Sequence, residues 1–363
     1  MSERSRGNAA TRFFTANASG FAIVFVLAVV LALTTDTFLT PANLDSLGRQ
    51  VSIYAIIAIG QLLVILTGGI DLAVGSIVGL TGIVVAQTVY ETTGAGPIWF
   101  AVGVALVAGA LCGLITGLLV AVLRIPPFIA SLGMMGIARG VALLLSGGRT
   151  IQPLPEQFEE LAGGDVFGVS NLIIVTVLVV VIASVVLAKT SWGRYVHAVG
   201  SNAESARLSG VPVKSVLVSV YMASGLLAAL GGILLASRLN NGVPTAGAGY
   251  ELQAIAACVI GGASLFGARG TAVGALIGAL IVGMLNNGGS LLGIDPFWLQ
   301  IAIGALILVA VAVDQLPKSL PGLKAKFTAR SEEEDGADTS GERVGADASD
   351  APRAERETAG VER

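Results

Sequence analysis

From about residue 20 to residue 313 the chain is a series of long, almost uncharged apolar runs, separated by short stretches that carry the glycines, prolines and most of the charges. A bilayer core about 30 Å thick takes roughly 20 helical residues, and backbone groups in lipid have to pair within their own helix. The pattern therefore predicts an all-α polytopic membrane protein with about ten transmembrane helices, near 20–36, 51–67, 72–90, 98–122, 127–146, 170–188, 213–237, 251–267, 270–288 and 297–313. Arg139 interrupts the fifth run. Gly68, Gly69 and Asp71 stand ahead of the third, which predicts a broken or re-entrant start. The run Phe21 to Leu33 resembles a signal-peptide core, but Thr34 to Phe38 offers no small-residue cleavage site, so it is read as a retained first span.

Basic residues fix the expected orientation. With both termini cytoplasmic, inner segments collect Arg4, Arg6, Arg12, Arg124, Lys189, Arg194, Arg207, Lys214, Arg269, Lys318, Lys324 and Lys326, and outer ones only Arg49, Arg149 and Arg238. Tyr90, Trp99, Tyr250 and Trp298 then fall at the outer interface, and Trp192 and Tyr195 at the inner one. The expected organisation is a cytoplasmic N-terminal segment 1–18, a transmembrane domain 19–316 and an acidic cytoplasmic tail 317–363. That tail is too poor in apolar residues to offset its ordering entropy and is expected to be disordered.

Composition agrees. Of 363 residues 54 % are hydrophobic, 48 are Gly and 12 % are charged. Residues 328–363 hold 5 basic and 11 acidic groups, which leaves 16 and 13 for the other 327 positions, too few to solvate a soluble surface. One His (His197) and two separated Cys (Cys112, Cys258) provide no metal cluster or disulfide framework, and no G-x-x-x-x-G-K-[ST] loop is present to hold ATP. No nucleophile–base constellation points to an enzyme, and Asp71 and Arg139 alone approach the charge relays of an ion-coupled transporter.

Small residues recur at helical spacing in Gly109-x3-Gly113-x3-Gly117 and Gly270-x3-Gly274-x3-Gly278, which predicts two faces of close helix packing. A loose echo links Gly68-Gly69 with Ala73-Val74-Gly75 to Gly261-Gly262 with Ala272-Val273-Gly274. Two glycine-interrupted hydrophobic segments in opposite halves are the pattern that in transporters points to a central pathway.

The longest inner loop, 190–212, carries the most specific signal. Ser201 and Glu204 have the spacing of a capping box, Arg207 complements the last turn, and Gly210 with Pro212 supplies a stop. A short surface helix from about 202 to 209 is expected, on the order of 12 Å long. The pattern Gly200-x-Asn202-x3-Ala206-x3-Gly210 resembles the coupling helix of ABC-importer permeases. Further motifs extend the likeness over roughly residues 15–315: Gly68-Gly69-Ile70-Asp71-Leu72-Ala73-Val74-Gly75-Ser76, the stretch Pro244 to Ala257, Val259-Ile260-Gly261-Gly262-Ala263-Ser264-Leu265 and Leu285-Asn286-Asn287-Gly288. Together these resemble the ribose/xylose/galactose-type permease family.

The resemblance implies a homodimer of permease subunits in a lipid bilayer at the plasma membrane. It also implies a tandem-domain ABC ATPase inside that carries ATP and Mg, and an extracytoplasmic binding protein that delivers a ribose-like sugar; the chain itself would need no cofactor and bind no nucleic acid. Relatives for branched-chain amino acids, nucleosides or furanone signals share the scaffold and remain alternatives. ATPase coupling is assigned to Gly200, Asn202, Glu204, Ala206, Arg207 and Gly210. Pathway candidates are Gly68, Gly69, Asp71, Asn286 and Asn287. Asp71 equally suits a helix cap, Asn286 and Asn287 equally suit interhelical bonding, and Arg139 either lines the path or pairs with a neighbour. Pro153 and Pro155 before Glu156 predict a short outer helix whose Glu156, Glu159 and Glu160 form an acidic docking patch for the binding protein.

Overall fold

The computed structural model describes residues 9–91 and 98–315. The expected tail 317–363 lies outside the described residues, as do residues 1–8 of the expected N-terminal segment.

The described chain is helical almost throughout: α1 (Ala9–Thr34), α2 (Pro41–Leu66), α3 (Val74–Glu91), α4 (Ile98–Ala121), α5 (Pro127–Ser146), α6 (Glu156–Gly163), α7 (Asn171–Lys189), α8 (Ser191–Ser201), α9 (Ala203–Leu208), α10 (Val213–Leu239), α11 (Tyr250–Ile260), α12 (Ala272–Leu291) and α13 (Pro296–Gln315). One two-stranded antiparallel ribbon, β1 (Asp165–Val166) with β2 (Val169–Ser170), joins α6 to α7. Among the described residues, seven helices are long and apolar enough to cross a membrane: α2, α3, α4, α5, α7, α10 and α12. The apolar parts of α1 (Gly20–Thr34) and α13 (Pro296–Val309), and the whole of α11, are shorter. Helix α1 also begins well inside the segment expected to precede the first span.

Helix α2 is the central post, buried continuously from Val51 to Leu66. Helices α7, α10, α11 and α12 pack around it, and α3 packs against α10, α5 and α4. The glycine stripes act as their spacing predicts. A Cβ on Gly113 would run into the Tyr221 carbonyl of α10, and one on Gly278 into the Ala257 carbonyl of α11, so backbones touch where lipid supplies no hydrophobic drive.

The clearest departure concerns the eighth expected run, 251–267. Helix α11 has only 11 residues, about 17 Å at 1.5 Å per residue and half of a bilayer core. It stops where Gly262 takes φ +87°, a left-handed conformation that side chains resist. It also starts deep in the protein. The Tyr250 ring stands edge-on to Tyr54, centroids 5.2 Å apart, and Tyr54 is at the middle of the 26-residue α2. Tyr250 is therefore not at the outer interface. The residues before it descend along α3: Gly242 lies against Gly82 and Ala86, Pro244 against Gly79, and Gly247 against Gly75. This segment is half a run of turns and half helix.

The third run has the broken start its glycines predict. After α2 the chain turns at Thr67 and Gly68 and runs back into the helix layer before α3 begins, so that the Asp71 backbone lies beside the Gln61 side chain, more than a turn short of the end of α2. Two half-length approaches thus meet inside the protein, one from each end.

Candidate functional site

The loop 190–212 forms two helices where one was expected. Thr190 caps α8 by accepting from Gly193 N, and α8 buries Gly193, Val196 and Val199. Trp192 Nε1 donates to Ser219 Oγ on α10 at 2.7 Å, which fastens α8 to the bundle. The cap of α9 is Asn202, whose side chain accepts from Ser205 N at 2.8 Å, and not Ser201, which ends α8. Glu204 therefore closes no capping box with Ser201; it takes a bidentate contact from Arg207, at 2.6 and 3.0 Å. Those bonds and the Arg207 charge hold the Glu204 carboxyl below its ordinary range. Ala206 faces inward while Glu204, Arg207 and Leu208 are exposed. Gly210, with φ +83°, turns the chain toward α10.

Helix α8 ends on a three-way junction. Ala268 N donates to Leu66 O at 2.9 Å, and His197 Nδ1 donates to Ala268 O at 3.0 Å. A Cβ on Gly200 would meet Leu66 O and Ala268 N; one on Gly267 would meet Gly200 O and Gly68 N. The ends of α2, α8 and the α11–α12 loop are locked backbone to backbone, and the two glycine-interrupted segments of the sequence touch here.

Asp71 is an interior tie, 1 % exposed. It does not occupy the helix cap position; Oδ1 accepts from Ala73 N at 2.9 Å just ahead of α3, and Oδ2 accepts from Ser224 Oγ on α10 at 2.9 Å. Neighbouring Ile70 O accepts from Ser131 Oγ on α5, and Gly69 has no room for a Cβ beneath the Tyr221 hydroxyl. Asn287 exchanges bonds with Asn43 on α2, at 2.8 and 3.2 Å, while Asn286 donates to Val282 O in its own helix. The half-buried Arg139 forms no ion pair among the described residues.

At the opposite end of the bundle from α8 and α9, α6 forms as the Pro155–Glu156 pattern predicts. Phe158 and Ala162 are fully buried, Ser237 Oγ donates to Phe158 O and accepts from Ala162 N, and Arg49 donates to Ala162 O and Gly163 O. The helix is thereby a fixed platform that displays Glu156, Glu159 and Glu160 to solvent. Asn240 Nδ2 donates to Glu159 at 3.0 Å.

Sequence reasoning passed over a polar group where the two half-length approaches meet. Gln50 donates to the Tyr54 hydroxyl at 3.1 Å, and Tyr250 and Gln253 come close to the same hydroxyl. Glu251 accepts from Gly249 N at 3.3 Å with one oxygen and lays the other against Gly75. The available signal was a Glu and a Gln set into the apolar run that begins at Tyr250.

A family model described as a branched-chain amino acid transport system / permease component matches residues 43–311. This chain belongs to that permease family. The ribose import permease RbsC of Escherichia coli (strain K12) is 43 % identical over 295 residues, 80 % of this chain and 91 % of that protein. The fructose import permease FrcC of Rhizobium meliloti is 41 % identical over 303 residues, 81 % and 84 % of the two chains. The L-arabinose ABC transporter permease AraH of Azospirillum brasilense is 39 % identical over 300 residues, 82 % and 88 %. No solved structure matches. Family membership and the seven apolar helices make the chain a multi-pass membrane permease, in which ATP hydrolysis is not a task of this subunit.

Proposed function

We propose that this permease is the membrane subunit of an ATP-driven importer for a monosaccharide. Relatives of ribose, fructose and arabinose import, matched over about four-fifths of the chain, support the sugar class above the amino-acid, nucleoside or furanone alternatives. Two copies form the pathway in the plasma membrane, with the α8–α9 end cytoplasmic and the α6 end outside. Ten crossings with both termini inside fit this arrangement, because α11 with the run of turns before it still carries the chain across. A tandem-domain ATPase bearing ATP and Mg²⁺ docks on α9 through Asn202, Glu204 and Arg207, while the buried Ala206 seats the helix on the bundle. A soluble sugar-binding protein docks outside on Glu156, Glu159 and Glu160.

The observation that carries the reading is the junction at Gly200. A capped, exposed helix too short to span is joined rigidly to the loops after α2 and α11, so force applied to α9 reaches both half-length segments. ATP-driven closure of the partner then shifts the balance between inward- and outward-open states through differential contact with α9. Asp71, with Gly68 and Gly69, serves in this mechanism as an interior tie that moves the start of α3 together with α10.

The test is reconstitution with the ATPase and binding protein in proteoliposomes. Uptake of ribose, fructose or arabinose that requires both partners and internal ATP is the expected result; uptake driven by an ion gradient without ATP would overturn it.

A further inference from the structure

The N-termini of α3 and α11 face one another inside the bundle, Gly75 and Gly247 packed so closely that a Cβ on either would strike the carbonyl oxygen of the other. Among the described residues, seven buried side-chain oxygens have no hydrogen-bond partner. Three belong to this meeting point: Ser76 Oγ, Glu251 Oε2 and Gln253 Oε1, and two more, Asn240 Oδ1 and Asn241 Oδ1, stand at the head of the segment that descends to it. Ser76 is 4 % exposed. The other two, Ser184 Oγ and the Tyr221 hydroxyl, stand singly elsewhere, where other buried polar groups such as Ser131, Thr176, Ser237 and Asp71 are satisfied. An unmade bond on a buried polar atom costs about 1–3 kcal/mol, so three in one place call for a partner that is present only part of the time.

We infer that the meeting point of the α3 and α11 N-termini, with Ser76, Glu251 and Gln253 supplying polar atoms and Tyr54 and Tyr250 an aromatic wall, is where a neutral, hydroxyl-rich solute is recognised as it passes mid-membrane. The inference rests on the importer reading above and deepens it. Gln253 Oε1 and Glu251 Oε2 are acceptors for hydroxyl protons. The first-turn N–H groups of two helices lack intrahelical acceptors and point positive dipole ends at hydroxyl lone pairs. In this closed state Gly75 and Gly247 also block the way, so the solute meets these atoms only as the two N-termini part. Helices that begin inside the membrane behind a stretch of irregular backbone are a general way to build a transient site where that backbone lines a cavity.

The test uses the complete importer in proteoliposomes, with uptake expressed per ligand-loaded binding protein. Ribose, fructose and arabinose are compared with the deoxy analogue of whichever is transported. Wild type should favour the fully hydroxylated sugar, and Gln253→Leu should reduce that preference about 3–10-fold, the size of one neutral hydrogen bond, with basal ATPase and binding-protein affinity unchanged. If Gln253→Leu fails to assemble, Ser76→Ala, which removes only an unpartnered hydroxyl, is read in the same way. An equal loss for both sugars with the preference intact, or no change for either, would overturn the site while leaving the importer reading in place. Wild-type complexes that move none of the three sugars would overturn that reading and the site with it.

Discussion

Gly200 sits so close to the carbonyl oxygen of Leu66 that no Cβ fits between them. The last turn of α8 thereby meets the end of the central helix without any side chain in between. A backbone contact of this kind has no rotamers to absorb movement, so a displacement of α8 is passed on rather than dissipated. Gly200→Ala inserts a methyl group into it, and overpacking of this sort costs about 1–3 kcal/mol. We expect an assembled complex whose sugar-stimulated ATPase falls to the basal rate, with size-exclusion chromatography confirming that the subunits stay together. Full stimulation in the variant would show that the junction transmits nothing.

The cap on α9 allows a sharper comparison. Asn202→Ala removes the acceptor for Ser205 N and should destabilise the helix by about 0.5–2 kcal/mol, whereas Ser201→Ala should be close to neutral. The measurement is the affinity of the detergent-solubilised permease for its ATPase, expected to weaken only for Asn202→Ala. Glu204 adds a pH dependence whose sign follows from its lowered carboxyl: its contact with Arg207 is complete above the ordinary carboxylate range and is lost only as pH falls below it. ATPase affinity should thus be flat around neutrality and should respond to Glu204→Lys there.

Much of this architecture was legible because its causes are local. Apolar run lengths marked the crossing helices, Gly109, Gly113 and Gly117 announced a packing face, and Pro155 before Glu156 announced α6. Misreadings arose where a long-range contact decides the outcome. Asn202 takes the cap from Ser201 because α8 continues through Ser201, and α8 exists because Val196, Val199 and Trp192 find neighbours on the bundle. Tyr250 looked like an interface aromatic, yet the small residues from Gly242 to Gly249 let the backbone slide down α3 and carry it to Tyr54. Hydropathy averages over a run, so it could not separate a full helix from a half-helix followed by Gly261 and Gly262. Glu156 and Glu160 are visible as exposed charge in both sequence and fold, and only binding measurements can assign them a partner.

Asp71 should behave as a tie. Asp71→Ala leaves Ser224 Oγ and Ala73 N without their partner, at a cost of about 1–3 kcal/mol. Thermal unfolding in detergent should show a clear loss for Asp71→Ala and a smaller one for Asp71→Asn, which keeps an acceptor oxygen. Unchanged stability with abolished uptake would instead place Asp71 among the residues that contact solute.

Thr150 and Ser201 are both exposed and lie toward opposite ends of the bundle. With Cys112 and Cys258 replaced, a single Cys at Thr150 should react with an impermeant thiol reagent added to intact cells, and one at Ser201 only after permeabilisation. The reverse labelling would invert the topology and move the ATPase dock to the α6 end.

The acidic face of α6 yields a prediction about rates. Because Phe158, Ala162 and Ser237 hold the helix in place, substitutions at its exposed positions change charge without moving the platform. Glu159 is tied to Asn240, so Glu156 and Glu160 are the cleaner choices. Charge on the rim of an interface acts mainly on encounter and is screened over roughly 10 Å at 0.1 M salt. Glu156→Lys with Glu160→Lys should therefore slow association of the binding protein at low salt by about tenfold or more, with little change in dissociation. The difference should shrink as salt is raised, and basal ATPase should stay at the wild-type value. Surface plasmon resonance across a salt series checks this. Association rates that match wild type at the lowest salt would mean that the binding protein docks elsewhere and that α6 merely solvates its end of the bundle.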